Sequence, residues 1–456
     1  MEPAQASAAT VVEPQAARKG MASFGVMWLG QFISLVGSRF TNFAFGLWIY
    51  EQTNSATAFS TLIFVSGLPG ILLAPVAGAL VDRWDRRKVM LGANVLNALA
   101  SLTMVLILIA RGGKLEWWYV YVYSAVGGLL QAFLWPAYMA STTLLMPKKH
   151  LARASGLVWL GMSFAGVLAP LPAPWLLETA GVAGIIWIDF ATFLFAALSL
   201  VFVSIPAPQR EAAAEAGADA APKPAKPSLQ GDIREGWAFI RARPGLFSLL
   251  LYFAMINLVF AMGSVLVAPM VLSFATRQTL AYITSAASLG FGLGSLVMTI
   301  TGGPSKKIVG VLGFGLLLGL GYFLAGIQPA PFLIGTALFC AMFGLPVVNA
   351  CSQAIWQVKT PPGLQGRVFA VRRMIATAST PVGQLLAGPL ADYVFRPLLV
   401  AGGPLVASVG PILGVGPGRG IGLMYVLFSV LPIAASAWGF ANPRVRNLET
   451  ELADVI

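Results

Sequence analysis

The chain has 456 residues, of which 57 % are hydrophobic and only 10 % are charged. That leaves too little polar surface to cover a water-soluble fold, so the bilayer is the solvent this composition expects. The formal net charge of +12 does not point to nucleic acid, because the cations are spread over many short loops instead of one basic face.

Residues 1–21 are Ala-rich and polar, lack a cleavable signal, and read as a disordered cytoplasmic tail. From Ala22 onward, long apolar runs recur, each sufficient to cross a hydrocarbon core roughly 30 Å thick at about 1.5 Å per residue. In lipid an unpaired backbone group costs several kcal/mol, which leaves helices or a closed barrel. Barrel strands would be shorter and strictly alternating, so these runs are helices. The first half is predicted to span the bilayer over 22–50, 57–81, 89–110, 117–146, 154–177 and 183–204. On span 1, Gln31, Ser34, Ser38, Arg39, Thr41 and Asn42 share a polar sector that should line a cavity. The loop after span 2 reads Gly78-Ala-Leu-Val-Asp82-Arg83-Trp-Asp85-Arg86-Arg87-Lys88. There Asp82 can pair with Arg86 and meet the positive N-terminus of a neighbouring helix, closing one side of the molecule. The alternative is that these cations, Arg87 and Lys88 above all, only fix topology. On span 4, Gln131, Trp135, Tyr138 and Thr142 follow at i, i+4, i+7 and i+11. Span 6 carries Asp189.

The Ala/Pro/Lys/Glu stretch at 206–243 breaks the pattern and reads as a flexible cytoplasmic linker between bundles 22–205 and 244–442. Six further spans are predicted over 245–274, 279–302, 308–326, 330–358, 371–396 and 421–441, followed by a cytoplasmic tail at 443–456. Asn257 and Ser264 face one way on span 7, and Asn349, Gln353, Trp356 and Thr360 on span 10 repeat the spacing seen on span 4. Mixed aromatic and amide walls suit a bulky, partly apolar solute, or else serve interhelical hydrogen bonding and packing. Span 11 carries Asp392. Intramembrane ionisable groups are costly and therefore functional candidates: Asp189 or Asp392 could neutralise Arg39, either in a coupling cycle or as a static pair. The halves echo each other, with Pro136 and Pro346 each followed by a polar loop and an arginine, Arg153 and Arg367, that opens the next span.

Cations cluster at Arg18 and Lys19, Arg83 to Lys88, Lys148, Lys149 and Arg153, Lys306 and Lys307, Lys359 and Arg367, and Arg444 and Arg446. By the positive-inside rule these loops and both termini are cytoplasmic, which needs an even number of spans. Trp117, Trp118, Tyr119, Tyr121 and Tyr123 crowd the opposite interface as an aromatic belt.

The loop from Gly78 to Lys88 resembles the signature loop of the major facilitator superfamily, with Asp85 where that pattern has its second glycine. Ile188-Asp189-Phe-Ala-Thr192-Phe193 and Ala387-Gly388-Pro389-Leu-Ala-Asp392 resemble the bacterial exporters grouped with enterobactin-type siderophore and macrolide efflux proteins. The resemblance implies an all-α membrane protein of 12 transmembrane helices in two pseudo-symmetric six-helix bundles. It also implies a gating role for Gly78, Asp82, Arg83, Arg86 and Arg87, and a cavity lined from spans 1, 4, 7 and 10. The implied function is a plasma (inner) membrane exporter, acting as a monomer by alternating access, that exchanges protons for a small amphipathic molecule such as a siderophore or macrolide. An importer or uniporter of the same fold, or a channel, is the alternative.

Nothing in the spans builds an enzyme. The sole histidine, His150, falls in a loop, and no paired carboxylates or Cys/His ligand set appears, so neither catalytic residues nor a metal or cofactor are expected. No phosphate-binding loop for ATP is present either, which leaves an ion gradient to drive transport. Cys340 and Cys351 sit about 16 Å apart along one helix, beyond disulfide reach.

Overall fold

The computed structural model describes residues 13–147, 150–205, 229–451 and 455. Lys148 and Lys149, most of the expected linker, and the first twelve positions of the expected tail lie outside the described residues. The first half contains α1 (Glu13–Thr53), α2 (Ala56–Arg83), α3 (Arg86–Ala110), α4 (Trp117–Leu145), α5 (Leu151–Leu168), α6 (Ala173–Thr179) and α7 (Gly181–Val201). The second contains α8 (Leu229–Arg241), α9 (Pro244–Leu272), α10 (Arg277–Thr301), α11 (Lys307–Ile327), α12 (Pro331–Lys359) and α13 (Pro362–Pro389). A π-helical turn (Leu390–Phe395) then leads to α14 (Arg396–Leu399), α15 (Gly410–Leu413), α16 (Arg419–Ala441), α17 (Pro443–Arg446) and α18 (Leu448–Glu451).

Ten of these helices are long and apolar enough to cross a membrane, and the α5–α6 pair, bent by 50° at a short break, makes an eleventh. The expected count of twelve is therefore not met by length and apolarity. Ala169 to Pro172, rich in proline, breaks the fifth span, and α13 carries Arg367, Arg372 and Arg373 in its first turns. Two other segments depart from expectation. Residues 13–21, expected as disordered tail, extend α1, and Leu229–Arg241, expected as flexible linker, is helical. In α8, Ile233, Trp237 and Ile240 recur at i, i+4 and i+7, one apolar stripe. Ile240 is fully buried, and Glu235 pairs with Arg367 of α13 at 2.5 Å.

The chain forms two compact units, residues 1–45 with 65–220 and residues 46–64 with 221–456. The tip of the α1–α2 hairpin thus packs within the second unit, although the sequence division assigns it to the first half. The first unit is centred on Phe24 and Met27 of α1, Met90 of α3, Ala137 and Tyr138 of α4, and Leu200 of α7. Lipid offers no hydrophobic drive for helices to associate, so close backbone approach through small residues must supply the contact. Gly30 and Gly37 of α1 do this against Ser199 and Thr192 of α7, where an added Cβ would lie 2.0 and 2.2 Å from a hydroxyl oxygen. In the second unit Gly290 and Gly294 of α10 pass directly over the Phe339 and Phe343 carbonyls of α12. A Cβ at Gly294 would sit 2.1 Å from a backbone oxygen, which cannot swing aside. Gly294→Ala should cost about 1–3 kcal/mol of overpacking, read as a lower melting temperature of the detergent-purified protein. An unchanged melting curve would contradict this packing.

Two arginines hold helix ends. Arg87 donates from Nε to the Leu200 carbonyl at 2.9 Å and from Nη2 to the Val201 carbonyl at 2.7 Å, capping α7. Arg419 is buried and donates to the carbonyls of Gly326 and Ile327 at 2.8 and 2.7 Å, which closes the end of α11. Both place a cation at the negative end of a helix dipole.

Candidate functional site

In the first unit, α1 turns Arg39 and Asn42 to one side and both are exposed, whereas Thr41 is buried and Gln31 is 8 % exposed. Protein nonetheless surrounds Arg39 on most sides, the situation of a side chain that faces a water-filled recess within the protein. Arg39 makes no hydrogen bond or ion pair among the described residues. Gln131 of α4 is exposed and Trp135 half-buried, but Tyr138 and Thr142 are buried. The polar stripe of span 4 therefore divides. Its outer part is open, and its lower part belongs to the unit core, with the Trp135 and Tyr138 rings 6.1 Å apart.

Asp189 of α7 is 1 % exposed. Its expected partner, Arg39, is not the group it meets. The Tyr123 hydroxyl of α4 donates to Asp189 Oδ2 through a short hydrogen bond, and the Ser101 hydroxyl of α3 reaches the same oxygen at 3.4 Å. Ser101 and Tyr123 are themselves 2.9 Å apart. Oδ1 is buried without a partner, and Thr41 Oγ1 is likewise unpartnered although it lies near enough to act on the carboxyl. The result is a buried carboxyl surrounded by hydroxyls, with no cation in contact among the described residues. Tyr123 was expected only as part of an aromatic belt; its position two turns into α4 was the available signal.

The loop between α2 and α3 holds Asp82, Arg83 and Asp85 exposed, with Arg86 and Arg87 half-buried. The pairing of Asp82 with Arg86 is absent here: Asp82 has no ionic partner among the described residues, and Arg86 Nε is buried without one. Asp85 explains its own departure from the glycine pattern. It caps α3, accepting from the backbone N–H groups of Arg87 at 2.9 Å and Lys88 at 3.3 Å. Gly78 lies on the last turns of α2 in open space.

In the second unit Asn349 of α12 and Ser264 of α9 are exposed and Asn257 is half-buried. Gln353 accepts from Arg372 Nη1 at 2.7 Å, and Ser352 accepts from Nη2 at 3.1 Å. The Arg372 guanidinium also lies 5.4 Å from the Trp356 ring centre and 5.8 Å from that of Phe253. Trp356 is fully buried with its indole N–H unpartnered. Arg372 is a site residue that the sequence reading missed, because it lies close behind the loop arginine Arg367 and was absorbed into the cation count. Asp392, the other candidate partner of Arg39, is instead tied to the start of α2 in the second unit.

A long all-helical bundle with an uncompensated cation and a buried carboxyl on its spanning helices, and no metal-binding cluster among the described residues, is a multi-pass membrane transporter and not an enzyme. The Major Facilitator Superfamily model matches residues 27–383, and the chain belongs to that family. It is 27 % identical over 375 residues to macrolide efflux protein A of Streptococcus pyogenes, covering 81 % of this chain and 90 % of that one. It is 25 % identical over 367 residues to the multidrug efflux pump Tap of Mycolicibacterium fortuitum, covering 76 % and 83 %. Among solved structures, a bacterial homologue of the human lysosomal transporter Spinster, inward-facing and unoccupied, aligns with TM-score 0.68 at 15 % identity over 96 % of this chain and 99 % of that one. A peptide transporter of the POT family aligns with TM-score 0.63 at 11 % identity over 95 % and 98 %. At these identities the two structures speak for the fold alone.

Proposed function

We propose that this protein is a proton-coupled exporter of small amphipathic molecules of the macrolide or drug-like kind, working by alternating access as a monomer in the plasma membrane. Siderophores fit the same chemistry. The observation that carries coupling is Asp189. A buried carboxylate with no cation against it is expensive to keep charged, which makes this carboxyl a group that takes up and releases a proton as its surroundings change. The relatives named as macrolide and multidrug efflux pumps supply the direction and the solute class. The open polar positions Arg39, Asn42 and Gln131 in one unit, and Asn257, Ser264 and Asn349 in the other, are the groups assigned to solute contact. α13 with its π turn serves as the remaining span, giving twelve, with both termini on the cytoplasmic side as the cation-rich loops require.

Asp82 is assigned to the cytoplasmic gate. A pairing made in only one state biases the equilibrium between states, and Asp82, unpaired here, is free to make it in the other. Asp82→Asn should leave the protein in the membrane at normal abundance and slow export. Equal export at equal abundance would remove the gate role. Direction is tested separately: cells lacking the protein should retain more labelled macrolide than cells carrying it, and faster accumulation in cells carrying it would make the protein an importer.

A further inference from the structure

The end of the molecule opposite the cation-rich loops holds a second charged device. Asn54, at the tip of the α1–α2 hairpin, takes a left-handed backbone with φ +47°, a conformation that asparagine tolerates better than most residues. Ser55 follows, and its hydroxyl oxygen accepts from the Ala58 N–H at 3.2 Å as a helix cap. The free N–H groups of the first turn of α2 are then taken by Asp392. Its Oδ1 accepts from Ala56 N at 3.2 Å, and its Oδ2 accepts from Thr57 N at 2.8 Å, from the Thr57 hydroxyl at 2.8 Å and from the Ser55 hydroxyl at 2.7 Å. A carboxylate thus sits on the positive end of a 28-residue helix, although it belongs to a chain segment more than 330 positions away.

Three features of the sequence bring Asp392 there. Gly388, one turn earlier, lets α13 touch the first turn of α2: an added Cβ would lie 2.2 Å from Ser60 Oγ, 2.5 Å from Thr57 Cα and 2.7 Å from the Ala56 carbonyl oxygen. Pro389 has no N–H to continue the helical ladder. The next residues, Leu390–Phe395, run as a π-helical turn that contains Asp392, a rare geometry concentrated at functional sites. One turn further, Arg396 Nη1 donates to the Asn54 carbonyl at 3.2 Å. Nearby, Arg277 pairs with Glu51, and the Tyr50 hydroxyl donates to the Pro269 carbonyl at 3.2 Å.

We infer that Asp392 is a positioning residue of the transport cycle, forming with Gly388 and the π turn a clasp on the N-terminus of α2. The clasp keeps that end of the molecule shut and must break each time the end opens. This rests on the alternating-access reading above, but its test needs no solute. The tip of α1 and α2 belongs by sequence to the first half and packs within the second unit, so the contact joins segments that a rocking motion would part. Static packing would need only the glycine. Four hydrogen bonds converging on one half-buried carboxylate form a polar contact that water can replace when the helices separate, which suits a reversible closure.

Ser60 is 1 % exposed beneath Gly388 and reports on the clasp. In a background with Cys340 and Cys351 replaced by serine, a single cysteine at position 60 is labelled in intact cells by a membrane-impermeant maleimide. Asp392→Asn should raise the labelling rate several-fold, Thr57→Val should raise it as well, and the double variant should exceed neither by much, since both changes break the same contact. A second single cysteine at Ser141, buried in the core of the first unit, should keep its slow rate in every variant. The clasp is overturned if labelling at position 60 is unchanged in Asp392→Asn, if the two substitutions add independently, or if position 141 is exposed equally, which would mean general loosening.

Discussion

Asp189→Asn should abolish the dependence of transport on an imposed proton gradient while leaving solute exchange intact. The amide keeps the size of the side chain and can still accept from Tyr123 and Ser101, the two hydroxyls that hold the carboxyl in place. It cannot take up a proton, so the step that links solute movement to the gradient is lost while binding and the conformational exchange survive. In proteoliposomes the variant should equilibrate labelled solute across the membrane at a rate near that of the native protein, yet show no accumulation when a pH gradient is imposed. Gradient-driven accumulation at the native rate would eliminate Asp189 as the coupling group. Tyr123→Phe offers a graded companion. It removes the donor of the short hydrogen bond and leaves the carboxyl with Ser101 alone, so it should alter coupling without ending it.

The second large effect is expected at Arg39. A guanidinium remains protonated in proteins, so Arg39 cannot carry the proton and must act on a solute group or on a carboxylate in another state. It faces an open recess with no partner among the described residues, and its substitution removes a fixed cation from the wall of the first unit. Arg39→Ala should reduce both exchange and gradient-driven transport by on the order of 10-fold, the equivalent of about 1.4 kcal/mol of lost interaction. Arg39→Lys, which keeps the charge but not the planar fork, should recover part of it. Unchanged exchange in Arg39→Ala would assign the residue to solvation of the recess alone. The two substitutions thus separate the roles: Asp189→Asn uncouples, and Arg39→Ala impairs every mode.

What the sequence made legible follows from the strength of the bilayer as a constraint. A run of twenty apolar residues has almost one solution in lipid, so the helices and the break between halves could be placed by counting. The misses lie where local chemistry competes with that rule. Leu229–Arg241 sits beside a Pro/Ala/Lys-rich stretch whose composition masks the three-residue apolar stripe of α8. The break between α5 and α6 falls at Ala169-Pro170-Leu171-Pro172, where two prolines interrupt a segment that is apolar throughout. Asp85 reads as a defect in a glycine pattern until its neighbours are seen to be helical, whereupon it is an ordinary N-cap.

The site was only partly legible for a different reason. Sequence shows which polar residues share a helix face but not what stands opposite them. Arg39, Asp189 and Asp392 could be picked out as ionisable groups in apolar surroundings, yet their pairing could not. Asp189 turns to a tyrosine on α4 and a serine on α3, and Asp392 to the backbone of α2, neither of which carries a charge that a search for ion pairs would detect. Arg372 escaped notice because arginines at a helix entry are the usual mark of topology, and only its contacts with Gln353, Ser352 and the Trp356 ring distinguish it from Arg373, which is exposed.

The claim that this chain is a proton-coupled exporter is tested most directly by uptake of a labelled macrolide into everted membrane vesicles with an acidic interior imposed. The account predicts accumulation well above that of vesicles lacking the protein, collapsing when a protonophore dissipates the gradient. Equal accumulation with and without the gradient, or a gradient that drives the macrolide out of the vesicles, would contradict it.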